Sequence, residues 1–277
     1  MDGHFRAFSF VDRIISVLPG VKIGGIYRIP AGISEFPQSL AAEAVGQLAA
    51  WSAMAAFDFK RRPVAGIAAA VELLSPVRPG QTLELAADLE SVESDAVAYG
   101  GTAHCEGRPV LRLVHCVGPM LPQEDFDDPQ AVKARFSLLC QSGAPAGGFA
   151  GVPPLPLEDT GAEAGQWRRA TLHVPQTLAV FADHFARRPV LPGTLSMHKT
   201  LELADRLMKD VPAASGWTAR TISGSKVRAF TLPGESLEIE VRLARRDGDT
   251  AVVAVEARKG ERAVGASRIT FQAEGNP

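Results

Sequence analysis

Cysteine is scarce in this chain of 277 residues. The three present, Cys105, Cys116 and Cys140, are an odd set without CxxC spacing or a nearby histidine pattern, which argues against a disulfide framework and a structural zinc site. No uninterrupted apolar run reaches the roughly 18 residues a membrane helix needs. The N-terminal MDGHFRAF also lacks the basic-then-apolar order of a signal peptide. A reducing cytoplasm is therefore the expected setting. Neither sign of charge prevails, since 29 Lys and Arg face 31 Asp and Glu for a net charge of -2. That balance offers no global attraction to nucleic acid or an anionic membrane, so a charged partner must meet a local patch. With 46% hydrophobic and 22% charged residues, the composition is that of a folded globular protein, and at about 150 residues per domain the length suggests two units.

An internal repeat organises the chain. LPGTLSMHKTLELA, residues 191–204, lies over FPQSLAAEAVGQLA, residues 36–49, at an offset of 155, with Pro37/Pro192, Leu40/Leu195, Leu48/Leu203 and Ala49/Ala204 identical. Further on, VRPGQTLELAADL matches TLPGESLEIEVRL at an offset of 154, pairing Pro79 with Pro233 and Gly80 with Gly234. Upstream, GGIYRIP matches RRATLHVP at an offset of 145, so ten residues are missing from the first copy between Pro30 and Pro37.

Each copy reads as short β-rich segments, one long apolar helix, then strands separated by Gly-containing turns. The first helix, expected over Ser39–Phe57, carries one charge, Glu43, among eight alanines. A helix apolar nearly all round is buried, and alanine lets a sheet approach closely. Strands are expected in AGIAAAVELL, QTLELAADLES, AVAYGGTAHCEG and RPVLRLVHCVG, and again in SGSKVRAF, ESLEIEVRLARR, TAVVAVEARKG and AVGASRITFQ, with turns at Arg78-Pro79-Gly80 and Glu106-Gly107. The implied fold is α+β, one helix wrapped by an antiparallel sheet, twice. The expected division is a first unit over 1–122, a linker rich in Pro, Gly and acidic residues over 123–157 with room for a short helix at Pro129–Leu139, and a second unit over 158–277.

The stretch DHFARRPVLPGTL resembles the histidine motif of the 3-hydroxyacyl-acyl carrier protein dehydratases, a family with the hotdog fold. His184, Phe185, Pro189, Pro192 and Gly193 fit that motif, with Ala186 in place of its first proline. FVDRIISVLPGVKIGG resembles the family's N-terminal strand, and LAAEAVGQLA its helix motif of an acid followed four residues later by Gln. The resemblance implies a double hotdog packed as a pseudo-dimer, with a site formed by the histidine of one copy and the helix carboxylate of the other. It covers nearly all of the chain outside the linker. The two copies divide that pair. The first keeps Glu43 and Gln47 but has lost its histidine loop; the second keeps His184 but carries His198 where the family has an acid. One composite site is expected to be complete and the other dead, with His198 and Glu202 as a relic.

The chemistry supports the pairing. Eliminating water from a 3-hydroxyacyl thioester needs a base at the carbon beside the carbonyl and an acid for the departing hydroxyl. A neutral imidazole, with an ordinary pKa of about 6.5, suits the first role. A carboxyl kept protonated by burial suits the second, which is the expectation for Glu43. Gln47 is placed to hydrogen-bond the carboxyl or the leaving water. The Gly193 N–H, opening the second helix, is placed for the thioester oxygen. Phe185, Leu191 and Pro192 are expected to touch the acyl group, and Arg187 and Arg188 to rim the entrance where an acidic acyl carrier protein would present its phosphopantetheine arm. Lys60-Arg61-Arg62 and Arg168-Arg169 read as solvated surface, and His4, His104, His115 and His173 as structural. No metal or redox cofactor is expected, the substrate arriving on phosphopantetheine. Two other readings compete: a hotdog thioesterase acting on acyl carrier protein or CoA thioesters, in which a carboxylate activates water and His184 is expendable, and a non-catalytic acyl-binding double hotdog. Covalent pairing removes the need for a homodimer while leaving assembly of pseudo-dimers open.

Overall fold

Eight alanines and a single acid make a helix that a sheet can enclose, and α1 (Gln38–Ala56) is enclosed. Its Leu40, Ala44, Val45 and Leu48 are fully buried. The structure, a computed structural model, describes residues 5–145, 148–213 and 216–273; His4 lies outside them. The strands of the first copy are β1 (Arg13–Leu18), β2 (Lys22–Arg28), the short β3 (Arg61–Pro63), β4 (Ile67–Leu73), β5 (Thr82–Val92), β6 (Ala96–Cys105) and β7 (Arg108–Pro122). Those of the second are β8 (Leu157–Glu163), β9 (Trp167–His173), β10 (Trp217–Val227), β11 (Ser236–Asp247), β12 (Thr250–Lys259) and β13 (Arg262–Ala273), with α3 (Gly193–Met208) after β9.

The order across the sheet is β1-β2-β5-β6-β7-β4-β10-β13-β12-β11-β9-β8, with β3 added beside β7. Read from either end, the equivalent strands of the two copies come in the same sequence, and they meet at β4 and β10, paired antiparallel through Val71↔Ile222 and Ala70↔Ser223. This is the α+β double hotdog: two helices, each held by its own half of one continuous antiparallel sheet, related as a pseudo-dimer. The repeat is also visible in the backbone. Gly80 and Gly234 both take the left-handed conformation, φ 86° and 80°, at the turn before the equivalent strands β5 and β11, a region glycine enters without steric penalty.

The segment between β7 and β8 is packed against the first copy. Asp128 caps α2 (Pro129–Gln141), its carboxylate accepting from the amides of Gln130 (2.8 Å) and Ala131 (3.3 Å). Val132 and Leu139 are buried, as are Phe126 before the helix and Phe149 and Leu155 after it. Among the described residues no helix is long and apolar enough to cross a membrane.

Close approach of sheet and helix depends on missing side chains. A Cβ on Gly101 in β6 would stand 2.5 Å from the Ala86 carbonyl oxygen and 2.6 Å from Val45 Cγ1 of α1. Gly101→Ala is therefore expected to force the sheet off α1 and to lower the unfolding free energy by about 1–3 kcal/mol, measured by denaturant titration. An unchanged midpoint would show that the sheet yields freely there.

Candidate active site

Glu43 lies on the half-buried face of α1, with Gln47 one turn further on. The Gln47 side chain is saturated: its Nε2 donates to Glu43 Oε1 (3.0 Å) and to the Phe8 carbonyl (2.9 Å), and its Oε1 accepts from the Phe10 amide (2.8 Å). Gln47 thus braces the carboxyl against the N-terminal segment. The other carboxyl oxygen, Oε2, accepts from Thr194 Oγ1 at 2.7 Å, a contact from the first turn of α3 in the second copy.

His184 comes from the ten residues that the first copy lacks. A short 3-10 turn, Ala179–Ala182, precedes it, and the His184 amide donates to the Val180 carbonyl at 2.9 Å. Asp183, 7% exposed, accepts from the amides of Phe5 (2.5 Å) and Phe8 (2.7 Å), fastening the N-terminal segment of the first copy beside the histidine. The imidazole stacks on Phe185 at 4.2 Å and meets the edge of Phe8 at 5.7 Å. His184 Nδ1 is 3.3 Å from the Val190 carbonyl. A carbonyl only accepts, so this contact places the ring proton on Nδ1 and leaves Nε2 with the free lone pair. Burial away from water holds the His184 pKa below its ordinary value; the Glu43 charge pulls it up and the Arg62 guanidinium pushes it further down. The imidazole is a neutral base at neutral pH.

Glu43 and His184, 141 residues apart in sequence, line the same cavity of about 320 Å³ between the two copies. Its wall includes Gly46, Ala50, Val97 and Tyr99 on the first-copy side, and Met197, Leu201, Val255 and Ile269 on the second. Phe185, Leu191 and Gly193 also line it. A Cβ on Gly193 would meet no atom within 4 Å, so the start of α3 opens on free space. Pro192 is buried at the N-cap of α3 and is not part of the wall.

Arg187 and Arg188, expected at the rim, do not line the cavity. Arg187 donates to the Glu124 carbonyl (2.9 Å) and pairs with Asp128 at 3.9 Å. Arg188 lies over the rings of Phe126 and Phe230, 5.7 and 5.2 Å away. Arg187 is drawn to the connecting segment by Asp128 and the Glu124 carbonyl, and Arg188 is held between a ring of that segment, Phe126, and one of the second copy, Phe230. The exposed residues of the wall are instead Ala65, Ile67, Lys226 and Val227, at and beside the β4–β10 junction, and Gly193 at the start of α3; the four at the junction mark a mouth. Arg62, read as solvated surface, belongs to the wall and pairs with buried Asp127 at 2.6 Å. A basic run whose members face different ways has no sequence signal that separates them. Thr194 and Asp183 flank the histidine motif, but their contacts to Glu43 and to the N-terminal segment are across copies and leave no signal in the local sequence.

His198 occupies the position of Glu43 in the second copy. Its Nε2 lies 3.0 Å from Glu202 and 4.0 Å from Glu35, and it does not line the cavity. Burial lowers its pKa. Of the other histidines, His115 meets Glu90 at 2.5 Å and His173 meets Glu158 at 2.9 Å, both on exposed strand faces.

With this geometry in place, comparison with known proteins adds a family. The ApeI-like family, described as ApeI dehydratase, matches residues 162–266. Over 111 residues the chain is 30% identical to the 3-hydroxyacyl-[acyl-carrier-protein] dehydratase FabZ of Pediococcus pentosaceus, covering 39% of this chain and 74% of that protein. Among solved structures, the 12:0-ACP thioesterase of Umbellularia californica is similar over 91% of this chain and 94% of its own, with a TM-score of 0.56 and 7% identity. A MaoC-like dehydratase is similar over 92% and 98%, with a TM-score of 0.54 and 13% identity. At such identities the structures speak for the fold alone.

Proposed function

The chain belongs to the 3-hydroxyacyl-[acyl-carrier-protein] dehydratase family of hotdog-fold acyl-thioester enzymes, and we propose that it removes water from a 3-hydroxyacyl thioester on acyl carrier protein to give the trans-2-enoyl thioester. The observation that carries the reading is the single cavity that receives His184 from one copy and Glu43 from the other. In this reading residues 1–122 and 158–277 act as the two hotdog units, and 123–157 connects them.

His184 Nε2 removes the proton from C2, and the electrons form the C2–C3 double bond as the C3–O bond breaks. Glu43 delivers the proton with which the hydroxyl leaves as water. Thr194, now bonded to Glu43 Oε2, yields its place to the substrate hydroxyl. Negative charge developing on the thioester oxygen is met by the Gly193 N–H, with the N-terminal end of the α3 dipole behind it. Gln47 holds the carboxyl in place and, being saturated, is a positioning residue. Phe185 and Leu191 contact the acyl group, with Pro192 fixing the start of α3 behind them. The carrier protein approaches the β4–β10 mouth, where exposed Lys226 offers the positive charge its acidic surface needs; Arg187 and Arg188 serve the outer docking face.

The test is to supply a 3-hydroxyacyl thioester on acyl carrier protein and follow both enoyl absorbance and free thiol. Enoyl formation without thiol release is expected. Thiol release without enoyl product would overturn the reading in favour of a thioesterase, and tight binding with neither product in favour of a passive acyl-binding protein. Because His198 stands outside the cavity, His198→Ala is expected to keep kcat/KM within about twofold of the parent. A dead His198→Ala enzyme that still melts at the parent temperature would move the active site to the other half.

A further inference from the structure

Lys60, Arg61 and Arg62 are adjacent in sequence, and the fold separates them. Lys60 is exposed, whereas the Arg62 side chain is 16% exposed in the cavity wall, its Nη1 2.6 Å from Asp127 Oδ2; Asp127 itself is 1% exposed. Placing a guanidinium there is unfavourable unless its pairing is complete, yet Arg62 Nε is buried without a hydrogen-bond partner among the described residues. Core packing alone would be served better by an apolar side chain. What the arginine touches is informative. Its Cζ lies 4.3 Å from the centroid of Phe185, and the Phe185 ring stacks on His184 at 4.2 Å with 22° between planes. Asp127 also accepts from the Ala186 amide at 3.3 Å, so one carboxylate holds both the arginine and the backbone that follows the stacked ring.

We propose that Arg62 is a positioning residue for His184: its guanidinium, anchored on Asp127, holds the Phe185 ring against the imidazole and sets a fixed positive charge beside it. This rests on the reading of His184 as the base. The planar guanidinium can lie flat on an aromatic face while bonding a carboxylate edge-on, which a lysine cannot do. The charged and titratable groups around the imidazole are Glu43 from α1, Arg62 from β3, Asp127 from the segment after β7, and Asp183 in its own loop, whose carboxylate is bound by the amides of Phe5 and Phe8. Arg62 is the cation among them that opposes protonation of His184, in the same direction as burial and against Glu43. Removing it leaves acids as the charged neighbours of the ring, so the imidazole gains a proton more readily.

The experiment uses Arg62→Gln and Arg62→Lys in the full chain, with two readouts. The first is the His184 titration, followed by NMR of protein labelled with 15N-histidine in the absence of substrate and assigned through His184→Ala. The second is the pH profile of kcat/KM for dehydration. Arg62→Gln is expected to raise the His184 midpoint by about one pH unit and to move the acid limb of the profile with it. Arg62→Lys keeps the charge, so its midpoint stays while kcat/KM falls roughly tenfold at every pH from loss of ring pose. A merely structural arginine would lower the rate without moving the midpoint. An unmoved midpoint in Arg62→Gln, or parent kcat/KM in Arg62→Lys, overturns the proposal. Should Arg62→Gln fail to fold, Arg62→Lys decides by its rate. Should the parent not dehydrate at all, the function falls, while the NMR midpoint still reports whether Arg62 sets the charge of the ring.

Discussion

His184→Ala is expected to lower kcat/KM for dehydration by about a thousandfold, the range a positioned general base contributes. The expectation follows from three features of the ring. Burial keeps it neutral, the Val190 carbonyl fixes the proton on Nδ1, and Phe8 and Phe185 confine its plane. Alanine removes the lone pair proposed to take the C2 proton and leaves the loop intact, because Asp183 and the His184 amide hold it through atoms that survive the change. The measurement is the initial rate of enoyl formation beside a thermal melt. In parallel, exchange of the C2 hydrogen with solvent deuterium in a 3-hydroxyacyl thioester is expected to disappear. Near-parent enoyl formation in a folded His184→Ala protein would remove the histidine from the chemistry and assign the base to another group of the cavity. The pH sign follows from the same burial. The folded pKa lies below the ordinary value of about 6.5, so kcat/KM in the parent is expected to hold as pH falls through 6.5 and to decline only at lower pH, where the imidazole takes a proton.

Glu43→Gln should be the second most damaging change, with a loss of about a hundredfold or more in kcat/KM. The substitution retains size and both contacts, since the amide oxygen accepts from Gln47 and the amide nitrogen donates to Thr194 in place of the present bonds. What is lost is the carboxyl's capacity to give up a proton, so stability is expected to stay close to the parent. A substrate whose 3-substituent leaves without protonation, such as a 3-acetoxyacyl thioester, separates the two roles. Glu43→Gln is expected to regain a large part of its rate on it, whereas His184→Ala, still lacking a base, regains none. Recovery by His184→Ala alone would mean that the acid and base assignments are interchanged, and equal recovery by both variants that the roles are shared.

The repeat, a few identities at offsets of 154 and 155, is enough to specify one helix and one set of antiparallel strands in each copy, because helix length and turn glycines are local and recur, whereas the order of the strands across the sheet is set by packing. Glu43 stood out for the same kind of reason: one charge in an apolar helix is visible without coordinates. The residues around it were less legible. Arg62 hides in a basic run, and its burial is decided by β3 pairing with β7 and by Asp127, in the segment that follows β7. Arg187 and Arg188 stand in the histidine motif, yet Glu124, Asp128, Phe126 and Phe230 turn them away from the cavity. Long flexible cations go where the nearest acids and rings are, and those neighbours come from other segments.

By itself, the sequence determined the two-copy architecture and set Glu43 apart as the one charge of an apolar helix, since both are written in residue type and spacing, while His184 and the missing counterparts were marked by resemblance to a family motif. Only the tertiary structure decided that Glu43 and His184 share one cavity, that exposed residues of its wall gather at the β4–β10 junction, and that Asp183, Thr194, Phe8 and Arg62 surround the pair. Those are contacts between segments more than a hundred residues apart, or across copies, and they depend on how two helices and one sheet pack, which no local pattern encodes.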